Sequence, residues 1–315
     1  DMEGSRGLGD VYKRPGVWLL LSCQSHVMDD DFSDRAFSTR AVWSGTNHLE
    51  GSAVTPIFTT STYQLNDDRY RDWADGGQHS LIYSRWSSVN SEAVASKVAS
   101  LEGAEDGETL ASGMAAISST LLSMLSKGDH MVTSADIYGG TYGLLTSDFP
   151  RFGIDVTMAD IRDPSSFEAA INENTKVLYV ETITNPVLKV CDLEAMASIA
   201  KEHGLISVVD NTFATPWACQ PISMGFDVVI HSGTKFLNGH TDLTAGIVVG
   251  RSDLIKGVFK TKTRLGGTAD AFMCYLLERG MRTLHARMPI HASNSSELAR
   301  RMQEHPEISA VNHPS

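Results

Sequence analysis

After about residue 107 the chain alternates short apolar runs with helix-like runs, and that rhythm constrains the fold more than any other feature. Strand-like runs fall at 108–111, 130–134, 155–159, 177–181, 206–210, 226–231 and 246–250. Helical patterns lie between them, among them "AAISSTLLSMLSKG" (115–128), "PSSFEAAIN" (164–172) and "DLEAMASIAKEHG" (192–204). Pro164 suits a first helical turn, and His203-Gly204 is a usual helix stop. Strands alternating with helices predict an α/β fold, a mostly parallel sheet of seven strands with helices on both faces. In such sheets ligands bind beyond the carboxyl ends of the strands, so the residues there carry the function.

One strand end holds an unusual residue. The run "FDVVI" (226–230) is apolar enough to be buried on both faces, yet it leads into "HSGTKFLNGH" (231–240) with Lys235 at its centre. A cation at such a place has a partner, a task, or open solvent around it. The other strand ends are polar as well. They supply Glu181 and Asn185 in "ETITNP", Asp210 in "DNTF", a Gly-containing turn in "SGMAA" (112–116), and Tyr138 in "DIYGGTY" (136–142).

Each element alone has an ordinary reading. "DNT" is most often an Asx turn, "SGMAA" a common strand-to-helix turn, and a tyrosine before two glycines usually packs. Ser232-x-x-Lys235 also matches the serine β-lactamase nucleophile pattern, but the S-D-N and K-T-G elements that accompany it are absent from the chain. A Walker A loop and a G-x-G-x-x-G are absent too. Together the elements suit pyridoxal 5'-phosphate. That cofactor needs a lysine amine, a carboxylate on its pyridine nitrogen, a phosphate site and usually an aromatic ring on its face. Lys235 and Asp210 could supply the first two and Tyr138 the ring. The "SGMAA" helix start, with Ser232 and Thr234, could receive the phosphate.

Composition removes several other classes. A formal net charge of −12 argues against a nucleic-acid surface. The four cysteines, Cys23, Cys191, Cys219 and Cys274, are scattered, as reduced thiols of a cytoplasmic protein would be. The eleven histidines form no ligand motif, so no metal is expected. "KRPGVWLLLSC" (13–23) imitates a signal peptide, but its apolar run is too short to span a bilayer and a small-x-small cleavage site is missing, so no membrane association is expected. Residues 1–27 are expected to be an upstream or disordered segment, with Met28 opening "MDDDFSD". Near the other end, "DAFMCYLLERGMRTLHARMPIHASNSSELARRMQEH" predicts a long helical stretch bent at Pro289, followed by a strand beginning in "VNHPS".

In order and spacing the chain resembles the Cys/Met-metabolism family of pyridoxal-phosphate enzymes, which includes cystathionine γ-synthase, cystathionine γ-lyase, methionine γ-lyase and O-acetylhomoserine sulfhydrylase. The matching pieces are "YSR" (83–85), "LEGAE" (101–105), "SGMAA", "DIYGGTY", "ETITNP", "VDNTFATP" (209–216) and "HSGTKFLNGH". They span roughly residues 30 to 315 in family order. The resemblance implies the type I fold of pyridoxal-phosphate transferases. It implies an arm over 28–85 that reaches a neighbouring subunit, a cofactor-binding domain over 86–270, and a linking helix with the start of a C-terminal domain over 271–315. It implies that Lys235 carries the cofactor and moves protons on the substrate, that Asp210 pairs with the pyridine nitrogen, that Asn185 lies near the ring hydroxyl and that Tyr138 stacks. Gly113, Met114, Ser232 and Thr234 would bind the phosphate, and Tyr83 and Arg85 would reach the phosphate of the neighbouring copy. A homodimer or homotetramer with shared sites follows.

Two departures stand out. Where the family commonly has Asn-Pro-Thr after its Tyr-Ser-Arg, this chain has Ser88-Val89-Asn90. The family's carboxylate-binding arginine lies in a C-terminal domain that this chain does not reach, so a C-terminally truncated chain, with that small domain largely missing, is expected. Gly140 stands where methionine γ-lyases usually carry cysteine, although "TAGIVVG" (244–250) looks like that branch. The resemblance therefore implies γ-elimination or γ-replacement of the cystathionine γ-lyase or γ-synthase type. O-acylhomoserine sulfhydrylation and methionine γ-lysis are the alternatives, and a non-catalytic cofactor-binding fragment is a remoter one.

Overall fold

Val, Ile and Leu in the strand-like runs have no way to leave water except by stacking both sheet faces against helices, and the chain does this. A computed structural model describes residues 32–314 apart from 76 and 78, so the expected upstream segment 1–27 lies outside the described residues. The body begins with helix α3 (Val89–Glu102), after two short helices α1 (Phe37–Trp43) and α2 (Asp67–Ala74) in the arm. Then follow β1 (Asp106–Leu110), α4 (Gly113–Met124), β2 (His130–Ser134), α5 (Gly139–Gly143), β3 (Asp155–Ala159), α6 (Pro164–Ala170), β4 (Thr175–Glu181), α7 (Leu193–Glu202) and β5 (Ile206–Asp210). Strands β6 (Val228–Ser232) and β7 (Gly246–Gly250) lead to α8 (Ser252–Leu265), α9 (Ala271–Met281) and α10 (Leu284–Gln303).

The seven strands form one sheet in the order β1-β7-β6-β5-β4-β2-β3. It is mostly parallel, as expected; β7 alone runs against its neighbours β1 and β6. The strand period of two sorts side chains to opposite faces. Leu178 and Val180 of β4 join Val209, Val229, Val94 and Val98 on one face. Val177 and Tyr179 join Val208, Ile230, Ile117 and Leu121 on the other. Each such burial contributes about 1.5–3 kcal/mol of transfer free energy, which is what fixes the register.

The unusual Ser88-Val89-Asn90 start of α3 works by a capping box. Ser88 Oγ accepts from the Ser91 N–H at 3.1 Å, and Ser91 Oγ accepts from the Ser88 N–H at 3.0 Å. Asn90 then ties the arm to the body, accepting from the Phe58 N–H and donating to the Pro56 carbonyl. Further along, α8 grips the end of the arm. Lys262 Nζ donates to the Trp86 carbonyl at 2.9 Å and forms a buried pair with Glu108 of β1 at 2.6 Å.

Three expectations are corrected. Strand limits shift by one or two residues at β1, β4 and β6, and α4 starts two residues earlier and ends four residues earlier than expected. The long helix breaks at Arg282-Thr283, where α9 meets α10, and α10 passes through Pro289 without ending. The break falls there because Arg282 turns aside to Glu278, Thr46 and the Ala53 carbonyl. The strand expected at the end does not form: residues 308–314 are irregular, and no neighbouring strand is present to pair with them among the described residues.

Candidate active site

A cavity of about 310 Å³ opens at the carboxyl edge of the sheet. Five parallel strands deliver their following residues to it: Ser112 to Met114 after β1, Tyr138 after β2, Glu181 to Asn185 around the end of β4, Asp210 to Phe213 around the end of β5, and Ser232 to Lys235 after β6. Because β7 is antiparallel, it brings its beginning, Thr244, to the same edge.

One end of the cavity is built for an anion. Ser112 caps α4 by accepting from the Ala115 N–H, which leaves the Gly113 and Met114 N–H groups at the helix start without helical acceptors. A Cβ on Gly113 would sit 2.9 Å from the Ser232 Cβ and 3.0 Å from its Oγ. Only glycine lets the helix start close on the Ser232 hydroxyl, and the two together make a cradle. Thr234 is beside it, but its hydroxyl is engaged with Ala245, accepting from the N–H at 3.0 Å.

At the other end sits Asp210. Its Oδ1 accepts from both the N–H and the hydroxyl of Thr212, the first at 3.0 Å, so the ordinary Asx-turn reading of "DNT" is also correct. Oδ2 takes no hydrogen bond from the described residues. Burial pushes the carboxyl above its ordinary range, opposed by the Thr212 donors and by His231. Thr212 Oγ also accepts from the Ser232 N–H at 2.8 Å, so one hydroxyl joins the acidic end to the anion cradle.

Lys235 lines the cavity between these ends, exposed, and its Nζ has no hydrogen-bond or ion-pair partner among the described residues. Tyr138 also lines the cavity and is 45% exposed. A Cβ on residue 140 would lie 2.6 Å from the Tyr138 ring and 2.9 Å from the Met114 sulfur, so the ring's position requires Gly140. Asn185 completes that side.

Eight of the ten expected site residues thus line one cavity: Gly113, Met114, Tyr138, Asn185, Asp210, Ser232, Thr234 and Lys235. Tyr83 and Arg85 do not. Arg85 donates to the Thr263 carbonyl at 2.6 Å and lies over the rings of Tyr83 and Trp86. Among the described residues no arginine lines the cavity. Two residues with no expected role are central here, Thr212 and Glu181. Glu181 Oε1 accepts from the Tyr138 N–H at 2.7 Å and Oε2 from the Asn185 N–H at 2.9 Å. Burial, and then the neighbouring Asp210 charge, push its carboxyl up to about 8.

The cradle with a cavity-facing hydroxyl, a lysine with a free amine and an acid with a free oxygen fit pyridoxal phosphate. Comparison with known proteins agrees. The sequence profile described as "Cys/Met metabolism PLP-dependent enzyme" matches residues 38–315. An L-methionine γ-lyase of Porphyromonas gingivalis is 40% identical over 291 residues, covering 90% of this chain and 73% of the relative. A cystathionine γ-synthase/O-acetylhomoserine (thiol)-lyase of Bacillus subtilis is 38% identical over 269 residues, 85% of this chain and 70% of the relative. A crystal structure of a putative O-acetylhomoserine (thiol)-lyase from Campylobacter jejuni, which carries an N'-pyridoxyl-lysine-5'-monophosphate, superposes with a TM-score of 0.84 at 31% identity, over 88% of this chain and 78% of that one.

Proposed function

Because the chain belongs to the Cys/Met-metabolism family of pyridoxal-phosphate enzymes, we propose that it carries out γ-elimination or γ-replacement on a sulfur amino acid, of the cystathionine γ-lyase or γ-synthase type. The observation that carries this reading is the single cavity that gathers Lys235, Asp210 and the Gly113–Ser232 cradle from separate strand ends. When bound, the cofactor supplies an electron sink that lets the substrate's Cα and Cβ give up protons and its Cγ substituent leave.

The chain's own residues would do the rest. The Lys235 amine would hold the cofactor and move protons at the substrate's Cα, Cβ and Cγ. Asp210 would offer its free oxygen to the pyridine nitrogen and keep that nitrogen protonated. Tyr138 would stack on the ring, and Asn185 would lie near the ring hydroxyl. The N–H groups of Gly113 and Met114, with the hydroxyls of Ser232 and Thr234, hold the phosphate. Those donors are neutral, and among the described residues no arginine lines the cavity. Tyr83 and Arg85 of one copy therefore complete the phosphate site of another, in an assembly of at least two copies in the cytoplasm.

A second reading, methionine γ-lysis, is favoured by the 40% identity to a relative of that name. Against it stands Gly140, whose replacement by cysteine would drive a Cβ into the Tyr138 ring as it is placed. Steady-state turnover of cystathionine, O-acylhomoserine and methionine by the full-length gene product decides between them. The first reading expects cystathionine or O-acylhomoserine to be the best substrate by kcat/KM. A clear preference for methionine would overturn it in favour of the second.

A further inference from the structure

Glu181 stands apart from the roles assigned above. It ends β4, is 4% exposed, and is paired in register with Asp210 at the end of β5. Its two oxygens are used separately, one for the Tyr138 N–H and one for the Asn185 N–H. One carboxyl thus sets the backbones of both residues placed at the cofactor ring, although they come from different loops, 43 and 4 positions away. An ionised carboxylate accepts at both oxygens. A protonated one turns one oxygen into a donor, and a backbone N–H cannot answer it.

The surroundings make the ionised form expensive. Asp210 from β5 faces it with a like charge. Tyr179 of its own strand is buried and, among the described residues, its hydroxyl has no geometric hydrogen-bond partner. Tyr138 bounds it from the β2 loop, and Lys235 lies across the cavity on the loop after β6. The Asp136–Lys189 ion pair joins the same two loops that Glu181 joins, and His231 of β6 is taken up by Glu102 of α3.

We propose that Glu181 is a positioning residue acting as a proton-linked clamp: its carboxylate holds the Tyr138 and Asn185 backbones, and seating the cationic pyridine ring against Asp210 displaces a proton from Glu181 to solvent. The inference rests on the cofactor site proposed above. The sign follows from linkage. With its carboxyl pushed up to about 8 in the cofactor-free protein, Glu181 is protonated at neutral pH. A ring that arrives carrying positive charge lowers that value and releases the proton. Affinity for the ring therefore rises with pH up to about 8 and levels off above it.

The test uses 4'-deoxypyridoxine 5'-phosphate, an analogue without the aldehyde, so that covalent chemistry at Lys235 does not enter. Its dissociation constant is measured by protein fluorescence from about pH 6 to pH 9, for wild type, Glu181→Gln and Glu181→Asp. Titration of the analogue itself is common to all three and cancels in the comparison. Wild-type affinity should climb more steeply than that of Glu181→Gln, by up to roughly tenfold per pH unit below pH 8. At pH 9 the Gln variant should bind roughly tenfold more weakly, since one backbone N–H has lost its acceptor. Glu181→Asp keeps an ionisable group with a shorter reach, so it should keep a pH slope and lose affinity; it decides the matter if the Gln variant fails to fold. Equal slopes in wild type and Glu181→Gln, or undiminished affinity in Glu181→Asp, would overturn the clamp while leaving the cofactor site standing. No binding of the analogue to folded wild type at any pH would overturn the cofactor site and the clamp with it.

Discussion

Replacing Asp210 by Asn should pull stability and activity in opposite directions. The substitution is isosteric, and an amide oxygen can still accept from the Thr212 N–H and hydroxyl that now meet Oδ1. What it removes is a charge. In the cofactor-free protein that charge is a liability, because burial raises the Asp210 carboxyl above its ordinary value. A raised acid disfavours the folded state as pH rises from the unfolded value through the folded one, and Asn has no such dependence. Cofactor-free Asp210→Asn should therefore melt higher than wild type at about pH 8, and the difference should shrink as the pH is lowered toward about 4, because the raised carboxyl regains its proton on the way down. With cofactor, the sign reverses. Removing one member of a buried charge pair costs about 3–5 kcal/mol. At about 1.4 kcal/mol per factor of ten this is a loss of roughly 10²- to 10⁴-fold in kcat/KM. The assays are thermal unfolding of the stripped protein at the two pH values and steady-state turnover of the reloaded one. Near wild-type turnover would reduce Asp210 to a turn residue. A stripped variant that melts lower than wild type at pH 8 would refute the burial argument.

Borohydride reduction of the holoprotein followed by peptide mapping should place the pyridoxyl group on Lys235; label on another lysine would overturn the assignment. Mixing Arg85→Ala with Lys235→Ala protein under subunit exchange should restore partial activity, since mixed dimers hold one site with both residues intact. No recovery despite verified exchange would mean that Arg85 serves its own chain or no site. Ser88→Ala should remove the α3 cap, costing about 1 kcal/mol, and lower the melting temperature by roughly 2–4 °C with kcat unchanged. An unchanged melting temperature would mean that packing alone sets the start of that helix.

Much of this was legible in the residues because strand ends announce themselves. Apolar runs such as 206–210 stop at a charged or polar residue, and the rule that ligands gather at carboxyl ends turned those stops into a site. The direction of β7 was not legible, since "GIVVG" buries the same side chains whichever way it runs. The break at Arg282-Thr283 escaped notice because proline is the louder punctuation, while Arg282 acts through Glu278, Thr46 and a carbonyl oxygen in the arm. Glu181 was visible as a strand end but not as a clamp. Its partners are backbone N–H groups, which every residue but proline has, and one of them belongs to a different loop.

The direction of β7 also bears on how the sheet assembles. Parallel neighbours must be joined by crossovers, whereas β6 and β7 form a hairpin whose loop is the thirteen residues 233–245. Closing that loop costs about 2 kcal/mol less chain entropy than bringing β7 to its other neighbour β1, from which most of the body separates it in sequence. Contacts of low sequence separation form fastest, so the β6–β7 ribbon can register before the helices on either face have docked. Lys235 sits in the loop of that ribbon. The loop proposed to meet the ligand is thus also among the first for which topology permits order, and the rest of the sheet is laid down on either side of it.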